Sequence, residues 1–196
     1  MVVETKRLVL RNFKEEDLKD FYEMVSQKDV GPRCGWEPYT TEESALEYLR
    51  STKDKPYKFA IVLKNSNKVI GSIEIMDIAN TEKYPFLKES DLATTKEIGF
   101  FINEDYWNNG YMTEALEIII TTSFEVLNYD SLVASYFEPN AASGRVQAKC
   151  GMKIMGKLKE FATWYENNEK CDLVMSYIDK KMYSKIKTGR EIEISH

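Results

Sequence analysis

The stretch from Glu97 to Ala115 holds the residue types best suited to chemistry in the tightest spacing. Glu97-Ile98-Gly99-Phe100-Phe101-Ile102 reads as a strand, and a polar turn through Trp107-Asn108-Asn109-Gly110 leads from it into the clearest helical pattern of the chain. The start of a helix offers backbone N–H groups to an anion. Asn108, Asn109 and Gly110 tolerate unusual backbone angles, and Gly110 lets a phosphate approach the main chain. An ordinary strand-to-helix turn needs the same residue types, so the spacing alone leaves phosphate binding and plain turn geometry both open.

Other chemistries are poorly supplied. Histidine occurs once, at His196, so a Ser-His-Asp or Cys-His mechanism lacks a base and a histidine metal site lacks ligands. Cys34, Cys150 and Cys171 lie far apart, which argues against structural zinc and a disulfide framework. Three scattered thiols fit a reducing cytoplasm. Gly151-Met152-Lys153-Ile154-Met155-Gly156-Lys157-Leu158 approaches a P-loop, but Leu158 stands where a magnesium-binding Ser or Thr belongs, and the segment runs from helix to strand. Neither a metal nor a nucleotide is expected there.

The 196 residues suit one domain at about 150 residues per domain. With 43% hydrophobic and 30% charged residues, the composition is that of a globular chain. The balance of 27 basic and 32 acidic residues, net −5, argues against nucleic acid as a partner. Met1 to Lys6 lacks the apolar core of a signal peptide, and no apolar run reaches about 18 residues. The expected location is cytoplasmic, without membrane association.

The elements that must position the loop follow from periodicity. Arg7 to Phe13 alternates as a strand, and acids Glu15, Glu16 and Asp17 open a helix with Leu18, Phe21, Tyr22 and Val25 on one face. Thr40-Thr41-Glu42-Glu43 has capping-box spacing for a second helix to about Lys53. Tyr57 to Leu63 and Lys68 to Ile78 form a hairpin, Thr81 to Ser90 a polar loop, and Lys96 to Asn103 a further strand. Gly110 to Leu127 is a helix with Met112, Leu116, Ile119, Ile120, Phe124 and Leu127 in one stripe. Ser131 to Phe137 is a strand, and Asn140 to Cys150 a helix with Asn140 as N-cap and Gly151 beyond its end. Met152 to Phe161 and Cys171 to Tyr177 are the last strands. The fold class is α/β (α+β): a mixed, mostly antiparallel central sheet of about seven strands with helices on both faces. Residues 1–179 form the domain, and 180–196 a charged tail with helical character.

Three motifs carry a resemblance over about Glu4 to Tyr177. Trp107-Asn108-Asn109-Gly110-Tyr111-Met112-Thr113-Glu114-Ala115-Leu116 resembles the acetyl-CoA loop of the GNAT N-acetyltransferases, closest to the RimJ/RimL-type ribosomal-protein acetyltransferases. Asn140-Ala141-Ala142-Ser143-Gly144-Arg145-Val146-Gln147-Ala148-Lys149-Cys150-Gly151-Met152 is similar to a second motif of that branch, and Glu4 to Arg11 fits its opening. Asn108 stands where the branch usually has Gly, Met152 replaces Phe, and Gly144 replaces a larger residue.

The resemblance implies a GNAT fold and acetyl-CoA as co-substrate, with no metal. Amides from Asn109 to Thr113, in the loop Asn108, Asn109, Gly110, Tyr111, Met112 and Thr113, would take the diphosphate. Phe100, Phe101 and Ile102 would line the pantetheine, joined by Asn140 and Ser143. That arrangement requires the Phe100–Ile102 strand to splay from its parallel neighbour, Leu132 to Phe137. Ser143 is the implied proton donor to the leaving thiolate, although local bonding near the start of its helix is its plainer role. A carboxylate would serve as base: Glu97 first, at the start of the cofactor strand; Glu160 second, near a glutamate proposed for RimL-type enzymes; and Glu74 third. Each alone also reads as a solvated strand carboxylate.

The implied reaction is direct transfer of an acetyl group to an amine, either a protein N-terminal α-amine or a small-molecule amine. Trp36, Tyr39, Trp164 and Tyr165 could wall an acceptor pocket or serve as ordinary aromatics. A non-catalytic acyl-CoA-binding sensor or regulatory protein is the alternative, and a nucleotide-binding switch a third reading. The chain is expected as a monomer or homodimer.

Overall fold

The central strands of the computed structural model, which describes residues 1–187, are buried along nearly their whole length, as at Lys58–Leu63 and Val69–Met76. The elements are Val3–Glu4 (β1), Leu8–Asn12 (β2), Leu18–Val25 (α1), Glu42–Ser51 (α2), Lys58–Leu63 (β3), Val69–Met76 (β4), Thr95–Ile102 (β5), Tyr111–Glu125 (α3), Ser131–Phe137 (β6), Ala141–Lys149 (α4), Lys153–Thr163 (β7), Lys170–Asp179 (β8) and Lys180–Lys187 (α5). They form a mixed α/β fold with one sheet in the order β1-β2-β3-β4-β5-β6-β8-β7. The sheet has eight strands where the pattern suggested about seven. The extra one, β1, pairs Val3 with Leu10 and Glu4 with Val9, and two residues are too few for alternation to show. Among the described pairings only β5 with β6 is parallel.

Two compact units make up the described chain, each with its own core. The first comprises Met1–Glu74 and Phe100–Ile118. There α1 buries Phe21, Met24 and Val25 with Ala45 and Leu49 of α2, under a layer that includes Tyr39, Tyr48, Phe101 and Trp107. The start of α2 falls one residue later than the capping pattern suggested. Thr41 is extended and its side chain accepts the Ser44 amide at 3.2 Å, while the Ser44 hydroxyl donates to the Thr41 carbonyl, so Thr41 caps the helix without the reciprocal bond of a capping box.

The second unit comprises Ile75–Gly99 and residues 119–187. Its core joins Tyr84 to Val133 of β6 and Met175 of β8, flanked by Phe86, Leu87, Leu158 and Tyr177. The stretch read as a polar loop is therefore pinned: it holds short 3-10 turns at Thr81–Lys83 and Glu89–Asp91, and Tyr84 is only 1% exposed. Burying an aromatic of that size contributes on the order of 2 kcal/mol.

Helix α4 starts and stops on its own sequence. Asn140 accepts the Ser143 amide, and Gly151 at φ 87 closes the end, with Gly151 N–H donating to Ala148 O and Met152 N–H to Gln147 O. Gly144 within it answers a close approach. A Cβ at that position would lie 2.6 Å from Tyr136 Cζ, so a larger residue requires the Tyr136 ring to move. The charged tail begins as α5, docked by the Tyr183 hydroxyl, which donates to Glu125 at 2.6 Å. Residues 188–196 of the tail lie outside the described residues. Among the described residues no helix is long and apolar enough to cross a membrane, and no group of three His, Cys, Asp or Glu side chains could hold a metal ion.

Candidate active site

Asn103 sets the turn after β5. It is fully buried, its amide donates to Ile70 O, and its side-chain oxygen accepts both the Asp105 amide and Gln27 Nε2 at 2.9 Å. The chain then makes a 3-10 turn over Glu104–Tyr106 and returns the Trp107 indole N–H to Ile102 O at 3.0 Å. Asn108 follows at φ 60 and Gly110 at φ 75. Asn108 thus adopts the left-handed backbone that lets it stand in for glycine, since its short amide tolerates that region better than other side chains do.

The first hydrogen bond of α3 runs from Glu114 N–H to Gly110 O at 3.0 Å. The amides of Gly110, Tyr111 and Met112 precede it, in the turn where a helix has no internal acceptor for them. A Cβ built on Gly110 meets one atom within 4 Å, Arg7 Nη2 at 3.6 Å. The turn is an open cradle of backbone N–H groups at the positive end of a 15-residue helix, a fit for a diphosphate.

Sequence reasoning assigned no role to the residues beneath this loop. Glu114 Oε1 accepts the Thr5 hydroxyl at 2.5 Å and the Arg7 amide at 2.9 Å, and Oε2 accepts Arg7 Nε at 2.6 Å. Arg7 Nη1 donates to Asn109 O at 3.0 Å, and the guanidinium lies 4.3 Å from the Tyr111 ring centroid. Burial raises the Glu114 pKa, but the hydrogen bonds from Thr5 and Arg7, with the Arg7 charge, hold it below the ordinary value. Both residues sit in motifs noted in the sequence; their separation of 107 residues hid the pairing.

The first unit thus gathers Phe100, Phe101 and Ile102 with the whole loop from Asn108 to Thr113. Trp36 packs edge-on against Phe101 at 5.5 Å and against Tyr39 at 5.8 Å, so these aromatics belong to the layer over the α1–α2 core. Glu74 is also in this unit, paired across strands with Lys58, whose ammonium lies 5.1 Å from the Tyr48 ring.

The second unit holds the other expected residues. The parallel register of β5 with β6 covers Thr95↔Ser131, Lys96↔Leu132 and Glu97↔Val133, while β5 itself runs on to Ile102. Glu97 is 9% exposed, and its Oε1 accepts both Lys83 Nζ at 2.6 Å and the Tyr84 hydroxyl at 2.7 Å. Burial, then the Glu97 charge, raises the Tyr84 pKa, so the phenol stays a donor. Ser143 Oγ accepts from Gln147 Nε2 at 3.2 Å, and Gln147 Oε1 in turn accepts the Ser176 hydroxyl. Ser143 therefore keeps its own proton to donate. Glu160 sits in a register shift of β7 at φ 49; its amide donates to Asp172, and among the described residues its exposed carboxylate makes no ion pair. Trp164 is buried against Phe137 and Tyr165.

Comparison with known proteins adds an independent finding. The sequence model of the acetyltransferase (GNAT) domain matches residues 7–153. YnaD of Bacillus subtilis, named as an uncharacterized N-acetyltransferase, is 32% identical over 161 residues, covering 82% of this chain and 87% of its own. A GNAT-family acetyltransferase from Bacillus anthracis shares the fold at a TM-score of 0.78 and 24% identity, covering 92% of this chain and 99% of that one. The ribosomal-protein-S5-alanine acetyltransferase of Vibrio fischeri shares it at 0.66 and 20% identity, over 91% and 96%.

Proposed function

Because the chain belongs to the acetyltransferase (GNAT) family and is an N-acetyltransferase, we propose that its acyl donor is acetyl-CoA and its acceptor a protein N-terminal α-amine. The observation that carries the donor is the turn at Asn108 and Gly110, left-handed at both residues, which opens the first turn of α3. The acceptor reading rests on the resemblance of three motifs to those of the RimJ/RimL-type branch. It has a chemical advantage: an α-amine with a pKa of about 7.7–8.0 is far more often neutral at pH 7 than a lysine at about 10.4.

When bound, acetyl-CoA supplies an activated acetyl thioester. The amides from Asn109 to Thr113 would hold its diphosphate, and the β5 residues Phe100, Phe101 and Ile102 its pantetheine arm, with Asn140 at the same arm. A backbone N–H at Phe101 or Ile102 would stabilise the developing oxyanion. Ser143, kept as a donor by Gln147, would protonate the departing sulfur. Glu160 would take the proton of the attacking amine through water, as the expected carboxylate left without an ion pair. Glu97 would serve as the anchor of the Lys83–Tyr84 segment.

A thiol-release assay with acetyl-CoA tests the reading, run against peptides with free and blocked N-termini, polyamines and amino acids. Release with free N-termini is expected. Coenzyme binding without release on any amine would turn the reading into that of a sensor, and release with polyamines alone would overturn the acceptor.

A further inference from the structure

We propose that Arg7 is a positioning residue of the diphosphate loop, which neutralises Glu114 and fixes the Asn109 carbonyl so that the loop presents amides to an anion. The inference rests on the acetyl-CoA reading above. Glu114 lies in the first turn of α3, where a carboxylate suits the helix dipole but repels a diphosphate arriving at the same end. That carboxylate stays ionised, since its pKa is held below the ordinary value despite burial. The fold therefore has to cancel a negative charge beside an anion cradle.

Arg7 is built for that task. Its Nε meets Glu114 Oε2 at 2.6 Å, its backbone N–H meets Oε1 at 2.9 Å, and Nη1 reaches Asn109 O at 3.0 Å. The planar group stacks over Tyr111, the first residue of α3. One guanidinium thus ties the β1–β2 turn to the loop on both sides of Gly110. The Asn109 carbonyl oxygen is thereby engaged by a cation beside the cradle. Lysine carries the charge but cannot span both acceptors in a plane. Thr5, Arg7 and Glu114, to which sequence reasoning assigned no role, become one device.

The test is CoA affinity by calorimetry, with melting temperature and steady-state kinetics, for wild type, R7A, R7K, E114Q and the R7A/E114Q double variant. A charge-assisted contact on a side chain 41% exposed is worth about tenfold in affinity. R7A and R7K are expected to weaken CoA binding and raise the acetyl-CoA KM by about that factor, with kcat at saturating donor within about twofold. Removing the Glu114 charge as well should recover most of the loss. R7A binding CoA like wild type, or a double variant as weak as R7A, overturns the proposal. If R7A does not fold, R7K with wild-type affinity overturns it. Wild type that binds no CoA overturns the donor reading and this proposal together, whereas binding that is insensitive to Arg7 overturns this one alone.

Discussion

Gln147 donates its side-chain amide to the Ser143 hydroxyl at 3.2 Å, one turn away on α4, and is itself fixed by the Ser176 hydroxyl. Donation into the serine oxygen directs the serine proton elsewhere, which is what a proton donor to a leaving thiolate requires. Ser143→Ala is expected to lower kcat roughly tenfold to a hundredfold with little change in CoA affinity. Gln147→Leu should lower kcat only while Ser143 is present, because the two act as one unit. Single-turnover rates of both variants and their double check this; an unaltered Ser143→Ala rate would leave the residue a local role at the helix start.

Glu97 and Glu160 should separate into stability and rate. Glu97 is nearly buried and holds two donors, so Glu97→Gln leaves Lys83 without its partner and is expected to cost about 1–3 kcal/mol of stability. The lower part of that range is favoured because Lys83 retains some water. Glu160→Gln should leave the melting temperature unchanged and remove the acid limb from the pH profile of kcat/KM. Denaturant melts and pH–rate profiles of the two variants decide the assignment; the reverse pattern would make Glu97 the base.

Gly110→Asp should abolish measurable CoA binding. The substitution sets a carboxylate against the diphosphate and places a side chain where the backbone is at φ 75. Calorimetry against CoA reads the loss, and retained affinity would count against the α3 cradle. Gly110→Ala separates the two causes, since it keeps the backbone strain without the charge.

The acid limb of stability should carry the signature of Glu114. Its folded pKa is depressed: burial raises it, but Thr5 and Arg7 outweigh burial. A depressed carboxylate contributes stability in full above its ordinary value of 4.5 and loses it as the pH falls through the folded value. Melting temperature followed from pH 6 to pH 3 should therefore drop more steeply for wild type than for Glu114→Gln. Parallel curves would mean that the Arg7 contact does not persist in solution.

The local features were legible because their causes lie within a few residues. Asn140 caps α4 and Gly151 ends it, and Asn108, with its short amide, and Gly110, with no Cβ, take the left-handed backbone. Periodicity alone yielded the order of strands and helices, apart from the two-residue β1. Three motifs in order along the chain carry the family resemblance.

What the chain's one-dimensional pattern could not contain is which charge meets which. Glu97 reads in the sequence as an available base, whereas in the fold Lys83 and Tyr84 donate to the same one of its oxygens. Gly144 read as a departure until Tyr136 occupied the space of its missing side chain. Arg7 and Glu114 stand 107 positions apart, and only the return of the chain brings them to 2.6 Å. Sequence by itself determined most of the elements, the caps of α4 and the left-handed turn before α3, since backbone preference is set by neighbours along the chain. Tertiary structure alone decided the electrostatic partners, since a carboxylate's role depends on the charges and donors that packing brings within a few ångströms.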